Sequence, residues 1–106
     1  PDSTLMFRYS ALTFNGHRIH YDADYARDVE GYPGLVFHAP LSATLLCQLG
    51  VELLDGIAHK QFRYRATAPI FCGETVQLCG SKSDNSVELW IEKPGGIQAM
   101  SGVLAG

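Results

Sequence analysis

The side chains in this sequence that could carry out chemistry are concentrated in its first forty positions. Asn15, His17 and His20 follow one another closely, and His38-Ala39 directly precedes Pro40. A histidine can take up or release a proton near neutral pH, and an amide side chain can orient a water molecule. Free N–H groups at the start of a helix can stabilise negative charge on a carbonyl oxygen. These groups suffice to add water to a double bond next to a carbonyl group, or to remove it.

The same segment also has the residue types of a metal site. His17, His20, Asp22 and Asp24 are spaced closely enough to ligate zinc or iron. Such a site would need a further His or Cys supplied by a second element, and the sequence gives no sign of one. We therefore expect no metal, and we expect Asp22 to cap a helix or to support a neighbouring side chain.

These groups are positioned by a central helix, which the sequence predicts over residues 40–54. Pro33-Gly34 marks a turn before it, and Pro40 is tolerated in the first helical turn, where backbone N–H groups have no acceptor within the helix. The few polar side chains recur at helical spacing and leave most of the circumference apolar, so the helix should be covered nearly all round. His38-Ala39 then lies at the start of the helix.

The rest of the chain is predicted to be mainly strands. An apolar run at 5–12 predicts a first strand, and residues 13–31 predict a loop-rich segment with a short helix over 24–29. Alternating patterns after the central helix predict four more strands, over 59–68, 74–82, 86–93 and 97–105. The expected fold class is α+β, with an antiparallel sheet wrapped around one long helix.

Composition limits the classes of partner. The 106 residues carry a formal net charge of −3, and 46% are hydrophobic and 18% charged. Basic residues are dispersed except for Arg63 and Arg65, so we expect neither nucleic-acid nor membrane-surface binding. Three cysteines without a CxxC pair favour reduced, intracellular thiols. The most apolar window, 35–51, is interrupted by polar residues and is shorter than the roughly 20 residues of a membrane span.

The length corresponds to one domain over residues 1–106. Trp90 departs from the alternating pattern of its strand and is expected to face a partner surface. We therefore expect the domain to pair with a second unit of the same kind, either as a homodimer or through a further domain.

The whole chain resembles the MaoC-like, or R-specific, enoyl-CoA hydratases, which have the hot-dog fold. In that family an Asp-x-Asn-Pro-x-His-x-Asp-x-x-x-Ala signature precedes a His-Gly at the start of the central helix. Here His20-Tyr21-Asp22 and Ala26 match the end of the signature, and HAPLSATLL matches the helix start. The segments FRYSALTFNGHRIHYDADYA and EGYPGLVFHAPL most resemble a subgroup similar to mesaconyl-C4-CoA hydratase and fungal mitochondrial 3-hydroxyacyl-thioester dehydratase.

The resemblance implies reversible hydration of a 2-enoyl thioester. It implies His20 as general base and acid, and the Ala39 N–H as a donor to the thioester oxygen. Asn15 stands where the signature has its catalytic Asp and would orient the water instead. The resemblance implies no cofactor. The acyl group of the substrate would be carried as a thioester of CoA or of an acyl carrier. The location implied is the cytoplasm, or the mitochondrial matrix in a eukaryote.

Further residues are candidates for contact with the substrate. They are His17, Tyr21, His38, Arg63 and Arg65. The two arginines are open to two interpretations, as solvated strand residues or as ligands of the CoA phosphates. His38 is open to two as well, as a packing residue that fixes the helix entry or as a contributor through the adjacent N–H groups.

Two other functions remain in competition with hydration. Hydrolysis of an acyl thioester would need a water directed at the carbonyl carbon, usually by a carboxylate, and Asn15 occupies the obvious position for one. A non-catalytic thioester-binding or dimerisation module would be expected to lack the histidine and amide of the loop, and this chain has both. Both observations favour the hydratase.

Overall fold

The computed structural model describes residues 1–56 and 61–105 and contains four helical segments followed by one sheet. In chain order the elements are α1 (Ser3–Leu12), a single turn of 3-10 helix (Arg18–His20), α2 (Ala23–Asp28), α3 (Ala39–Leu54), β1 (Gln61–Ala66), β2 (Gln77–Ser83), β3 (Ser86–Lys93) and β4 (Ile97–Ala105). The sheet is antiparallel throughout, with the strand order β1-β4-β3-β2. Within this described part of the chain, no helix is both long and apolar enough to cross a membrane.

The prediction of a strand over 5–12 was wrong, because this segment is helix α1. The carboxylate of Asp2 caps the helix by accepting a hydrogen bond from the Leu5 N–H at 2.8 Å. Met6 and Ser10, four residues apart, are its buried residues, whereas Phe7 and Leu12 are 62% and 81% exposed. Burial thus follows the helical period. The sequence did not show this period, because apolar residues also occupy the exposed side of the helix.

The predicted central helix is confirmed as α3. His38 is its N-cap residue, Pro40 lies in the first turn, and Asp55 ends the helix in the left-handed conformation with φ 49°. Its buried side recurs at helical spacing through Ala43, Leu46, Gly50 and Leu54 and faces the sheet. Gly50 marks a close approach, because a Cβ there would come within 2.8 Å of Leu89.

The expectation that α3 is covered nearly all round was wrong for this chain. The face away from the buried side borders an open groove of about 820 Å³, and Val51 on that face is 43% exposed. The groove is lined by α3 and by two aromatic residues of β1, Phe62 and Tyr64, whose rings stack at 5.6 Å. An apolar helix face of this kind remains available to another protein surface.

The four predicted strands are present, with shifted bounds for two of them. Of the strand predicted over 59–68, residues 59–60 lie outside the described residues, and pairing as β1 ends at Ala66. The strand predicted from residue 74 begins at Gln77, because the Glu74 carboxylate accepts a hydrogen bond from the Phe71 N–H and holds a turn there. The strands predicted over 86–93 and 97–105 are confirmed as β3 and β4.

The core lies between α3 and the two inner strands of the sheet. Val87, Leu89 and Ile91 of β3 are at most 1% exposed, and Leu104 of β4 is fully buried. The two edge strands, β1 and β2, are largely exposed. In β1 only Phe62 is partly buried. Trp90 points to the opposite face from its buried neighbours, as its departure from the pattern predicted, and is half-buried.

Lys93, at the end of β3, fastens the sheet to the turn before β2. Its side chain is only 8% exposed, and its ammonium donates to the Pro69 carbonyl and pairs with Glu74 at 3.2 Å. The same nitrogen lies 4.6 Å from the centre of the Phe71 ring. The carbonyl, the carboxylate and the aromatic ring together offset the cost of burying the ammonium. Removing the ammonium therefore costs each of these three partners an interaction.

We expect Lys93→Met to lower the free energy of unfolding by about 1–3 kcal/mol, because the Glu74 carboxylate loses its ion pair and the Pro69 carbonyl loses a charged donor. Urea unfolding measures this change. Lys82→Met on the exposed strand β2 is the matched control and should change stability little. Equal losses in the two variants would contradict the anchoring role of Lys93.

Candidate functional site

The candidate site is built on an extended segment, 35–37, which lies between two other parts of the chain. The Val36 N–H donates to the Ile19 carbonyl at 2.8 Å, and the Phe37 N–H donates to the Ile70 carbonyl at 2.7 Å. Val36 of this segment packs with Ile19 and Ala26 in a small apolar cluster separate from the main core. This cluster gives the loop-rich segment its own packing and fixes the 3-10 turn against the start of α3.

His20 ends the 3-10 turn and is buried, with 9% of its surface exposed. Its Nδ1 lies 2.6 Å from the Val36 carbonyl oxygen. Because a carbonyl oxygen can only accept, Nδ1 carries the proton and the neutral ring has its free electron pair on Nε2. The tautomer therefore leaves Nε2 as the atom able to take a proton from a bound molecule.

His38 lies directly against His20. The two rings stack with their centres 4.0 Å apart and 23° between their planes. His38 is fully buried, its Nε2 lies 2.7 Å from the Ser10 hydroxyl, and its Nδ1 has no hydrogen-bond partner among the described residues. Burial, together with the neighbouring His20, lowers the pKa of His38 to about 4, so the ring is neutral at physiological pH.

Asn15 occupies a turn that precedes the histidines. Its side-chain oxygen accepts from the His17 N–H at 3.1 Å, and its backbone N–H donates to the Ser10 carbonyl at 2.9 Å. The bond from the His17 N–H closes a turn at Asn15, of the kind that an Asn-Gly pair favours. The side-chain NH₂ group can donate to a water molecule, and the oxygen has a second lone pair that can accept.

His17 and Tyr21 flank this turn on the exposed side. The His17 ring meets the His20 ring edge-on, with centres 5.7 Å apart. Tyr21 donates from its hydroxyl to the Gly16 carbonyl at 3.1 Å. Together with Asn15 and α1, Tyr21 borders a cavity of about 340 Å³ whose lining is mostly apolar: Phe7, Ser10, Ala11, Phe14, Asn15, Gly16 and Tyr21.

Asp22 has the structural role that the sequence predicted for it. Its carboxylate caps α2 by accepting from the Tyr25 N–H at 3.0 Å and pairs with Arg18 at 2.8 Å. The Arg18 guanidinium lowers the pKa of this carboxyl and has its own pKa raised in return. Across residues 1–56 and 61–105, no group of three His, Cys, Asp or Glu side chains is arranged to hold a metal ion.

Ala39 is the first residue of α3, and it borders a second cavity of about 290 Å³ between the helix start and residues 66–70. A backbone N–H in the first helical turn has no acceptor within the helix, and Pro40 has no N–H at all. The Ala39 N–H is thus a donor available to a bound molecule at the residue that follows His38.

Arg63 and Arg65 do not join this group of residues. In the sheet register, Arg63 lies beside Val103 and Arg65 beside Ser101. Glu88 and Trp90 of β3 flank the same two β4 residues on their other side. These residues occupy the face opposite to the one that packs on α3, and the two arginines line an open cleft of about 360 Å³ there. Their contact with a substrate stays a prediction, and its location is separate from the histidines.

Two residues of the site escaped the sequence analysis because α1 was predicted as a strand. Ser10 holds His38, and Tyr9 meets the His38 ring edge-on at 4.7 Å. The signal that could have revealed them is Asp2, an N-cap residue, followed by Met6 and Ser10 at helical spacing.

Comparison with known proteins places the chain in a family. The family model described as hydroxyacyl-thioester dehydratase type 2 matches residues 1–72. The chain belongs to this family. The MaoC-like resemblance of the sequence is thereby confirmed, and the match contains the whole histidine site as far as Ala39.

Two curated relatives are similar over most of this dehydratase-family chain. The mesaconyl-C(4)-CoA hydratase of Chloroflexus aurantiacus is 44% identical over 101 residues, which are 95% of this chain and 36% of that protein. The mitochondrial hydroxyacyl-thioester dehydratase type 2 of Schizosaccharomyces pombe is 36% identical over 95 residues, 88% of this chain and 31% of that protein. The chain spans about a third of the length of these relatives.

Solved structures confirm the fold expected for a chain of this dehydratase family. The ChsH1-ChsH2 complex of Mycobacterium tuberculosis matches with a TM-score of 0.80 and 17% identity, over 98% of this chain and 87% of that chain. The (R)-hydratase of A. caviae matches with a TM-score of 0.77 and 20% identity, over 97% and 84%. The fold is an α+β hot-dog fold, in which the sheet packs on the central helix.

Burial of a neutral His38 predicts how stability depends on pH. The folded state binds the His38 proton only near pH 4, whereas the unfolded chain binds it below about pH 6.5, so stability is full above 6.5 and falls as the pH drops toward 4. We expect His38 to account for a loss of up to about 3 kcal/mol across this window. Urea unfolding between pH 7 and pH 4 measures it.

His38→Phe should flatten this dependence because the buried titrating group is gone, whereas His17→Ala, which removes an exposed ring, should keep it. Identical pH dependence in His38→Phe and the unaltered chain would contradict the assignment.

Proposed function

We propose that this chain catalyses the reversible hydration of a 2-enoyl thioester, which in reverse is the dehydration of a 3-hydroxyacyl thioester. The observation that carries the proposal is the His20 ring, whose Nδ1–H is committed to the Val36 carbonyl and whose Nε2 is left as a base. The names of the two curated relatives, a hydratase and a dehydratase, support this reaction class.

The proposed reaction begins when His20 Nε2 takes a proton from water. The water oxygen bonds to C3 of the enoyl thioester, and the electron pair of the double bond moves toward the thioester oxygen to form an enolate. The Ala39 N–H donates to that oxygen, because the start of α3 carries partial positive charge. The imidazolium of His20 then returns the proton to C2, so that water has been added and no redox change has occurred.

We assign supporting roles to the neighbours of His20. The NH₂ group of Asn15 donates to the water and orients it, while the oxygen of the same side chain accepts from the His17 N–H and holds the turn. His17 and Tyr21 contact the acyl part of the substrate from the exposed side of the turn. Arg63 and Arg65 contact the phosphates of the CoA or acyl-carrier handle on the outer face of the sheet. The reaction needs no metal or redox cofactor by its own chemistry.

We further propose that residues 1–106 form one hot-dog domain that acts together with a second hot-dog unit. The groove along α3 supports this, because an apolar helix face that the chain itself leaves open is suited to a partner. The relatives are about three times as long as the matched region, which leaves room in them for such a unit. We place the protein in the cytoplasm, or in the mitochondrial matrix of a eukaryote, as the mitochondrial relatives suggest.

The test is the loss of enoyl-thioester absorbance with a panel of straight-chain and branched dicarboxylic enoyl-CoAs. We expect at least one substrate to be hydrated, and His20→Ala to lower kcat/KM by roughly 10²–10⁴-fold, the usual effect of losing a general base. His17→Ala removes an exposed histidine that is proposed to contact the acyl part and not to transfer a proton, so it should cost far less.

Other outcomes would overturn the proposal. Release of free CoA without hydration would replace it with thioester hydrolysis. Binding of CoA thioesters without any turnover would make the chain a binding module. Equal activity of His20→Ala and the unaltered chain would remove His20 from the reaction while leaving the activity itself in place.

A further inference from the structure

We infer that His38, held by the Ser10 hydroxyl, is a positioning residue that fixes the His20 ring in its working orientation and tautomer. The inference deepens the proposed function and rests on it. His38 is fully buried, so it acts through His20 and does not touch the substrate itself.

The geometry gives the His20 ring little freedom to turn. One edge is bound through Nδ1 to the Val36 carbonyl, and one face is covered by the His38 ring at 4.0 Å. Val36 lies in the extended segment 35–37 and His38 directly follows that segment, so one short piece of backbone supplies both restraints. Ser10 reaches in from α1 and holds the His38 ring at 2.7 Å, which completes the support from a second element.

The packing alone does not explain a histidine at position 38. Its Nδ1 is buried without a hydrogen-bond partner in the described part of the chain. An unsatisfied buried polar atom costs about 1–3 kcal/mol, and a Phe ring would fill similar space without that cost. The imidazole is therefore accounted for by its hydrogen bond to Ser10, which holds the ring stacked on His20.

The charge arrangement fits a support that stays neutral while His20 changes charge. Two stacked imidazolium rings at 4.0 Å would repel each other, so only one ring of the pair can carry a proton readily. The other titratable groups that face the pair are His17, edge-on to His20, and Tyr9, edge-on to His38. Among the hydrogen bonds and ion pairs of residues 1–56 and 61–105, no carboxylate contacts either ring.

The test uses Ser10→Ala and the double variant Ser10→Ala/His38→Phe. Removing both partners of a buried hydrogen bond in favour of apolar groups is close to neutral for stability, so the double variant is expected to fold even where the single one does not. Thr13→Ala is the matched control, because it deletes a hydroxyl at the end of the same helix, bonded to the Tyr9 carbonyl and not to His38.

Two readouts separate positioning from a merely structural role. We expect both Ser10 variants to lower kcat by roughly tenfold to a hundredfold with KM nearly unchanged, since a slightly misplaced catalytic group costs about that much. We also expect the imidazole ¹⁵N signals of His20 to show a single Nδ1–H tautomer in the unaltered chain and a mixture in the variants. Ser10→Thr keeps the hydroxyl and should restore the single tautomer.

A folded double variant that keeps the kcat and the His20 tautomer of the unaltered chain would overturn the inference. The ¹⁵N spectrum requires no turnover, so it judges the positioning role even if no enoyl thioester is hydrated. Failure of the proposed function and failure of this inference are therefore distinguishable.

Discussion

The hydrogen bond from His20 Nδ1–H to the Val36 carbonyl is the interaction on which the candidate site depends. It exists because segment 35–37 is bound on one side to the 3-10 turn and on the other to residues 70–72. The same segment leads directly into α3, so the base and the helix start share one rigid support. Displacing Val36 would therefore disturb the tautomer of His20, the ring of His38 and the first N–H of the helix together.

In the candidate site the proposed base, His20, packs against the neutral ring of His38 and not against a carboxylate. The carboxylate nearest in sequence, Asp22, is committed to capping α2 and to Arg18. A carboxylate partner would stabilise an imidazolium and so favour the protonated form of the ring. A buried neutral imidazole offers orientation with much less of that bias, which suits a histidine that must both accept and return a proton.

Much of this architecture could be predicted from the sequence, and the exceptions have physical causes. The patterns of 40–54, 86–93 and 97–105 are unambiguous because each element buries one regular face, and their positions were predicted closely. The run at 5–12 is apolar on its exposed side as well, with Phe7 and Leu12 in solvent contact, so its period was concealed. Because this segment was predicted as a strand, Ser10 was not recognised as a residue of the site.

A second limit concerns where the elements lie relative to one another. Alternation along β1 is visible in the sequence and corresponds to the structure, in which Arg63 and Arg65 lie on the side opposite to Phe62 and Tyr64. It could not show that β1 lies at the edge of the sheet, beside β4, or that its arginines face away from the histidines. Strand order is set by contacts between distant residues, and a pattern within one strand carries no information about them.

The strand order has a consequence for how the molecule is assembled. Among the described strands β1 pairs only with β4, so that Gln61 meets Ala105 across an interval of more than forty residues, whereas β3 and β4 are joined by a short turn. Local hairpins close quickly, and long loops close at a greater entropic cost. The β2-β3-β4 meander is thus expected to form before β1 docks. Until then the sheet that packs on α3 lacks its β1 edge, so the docking of β1 completes the fold.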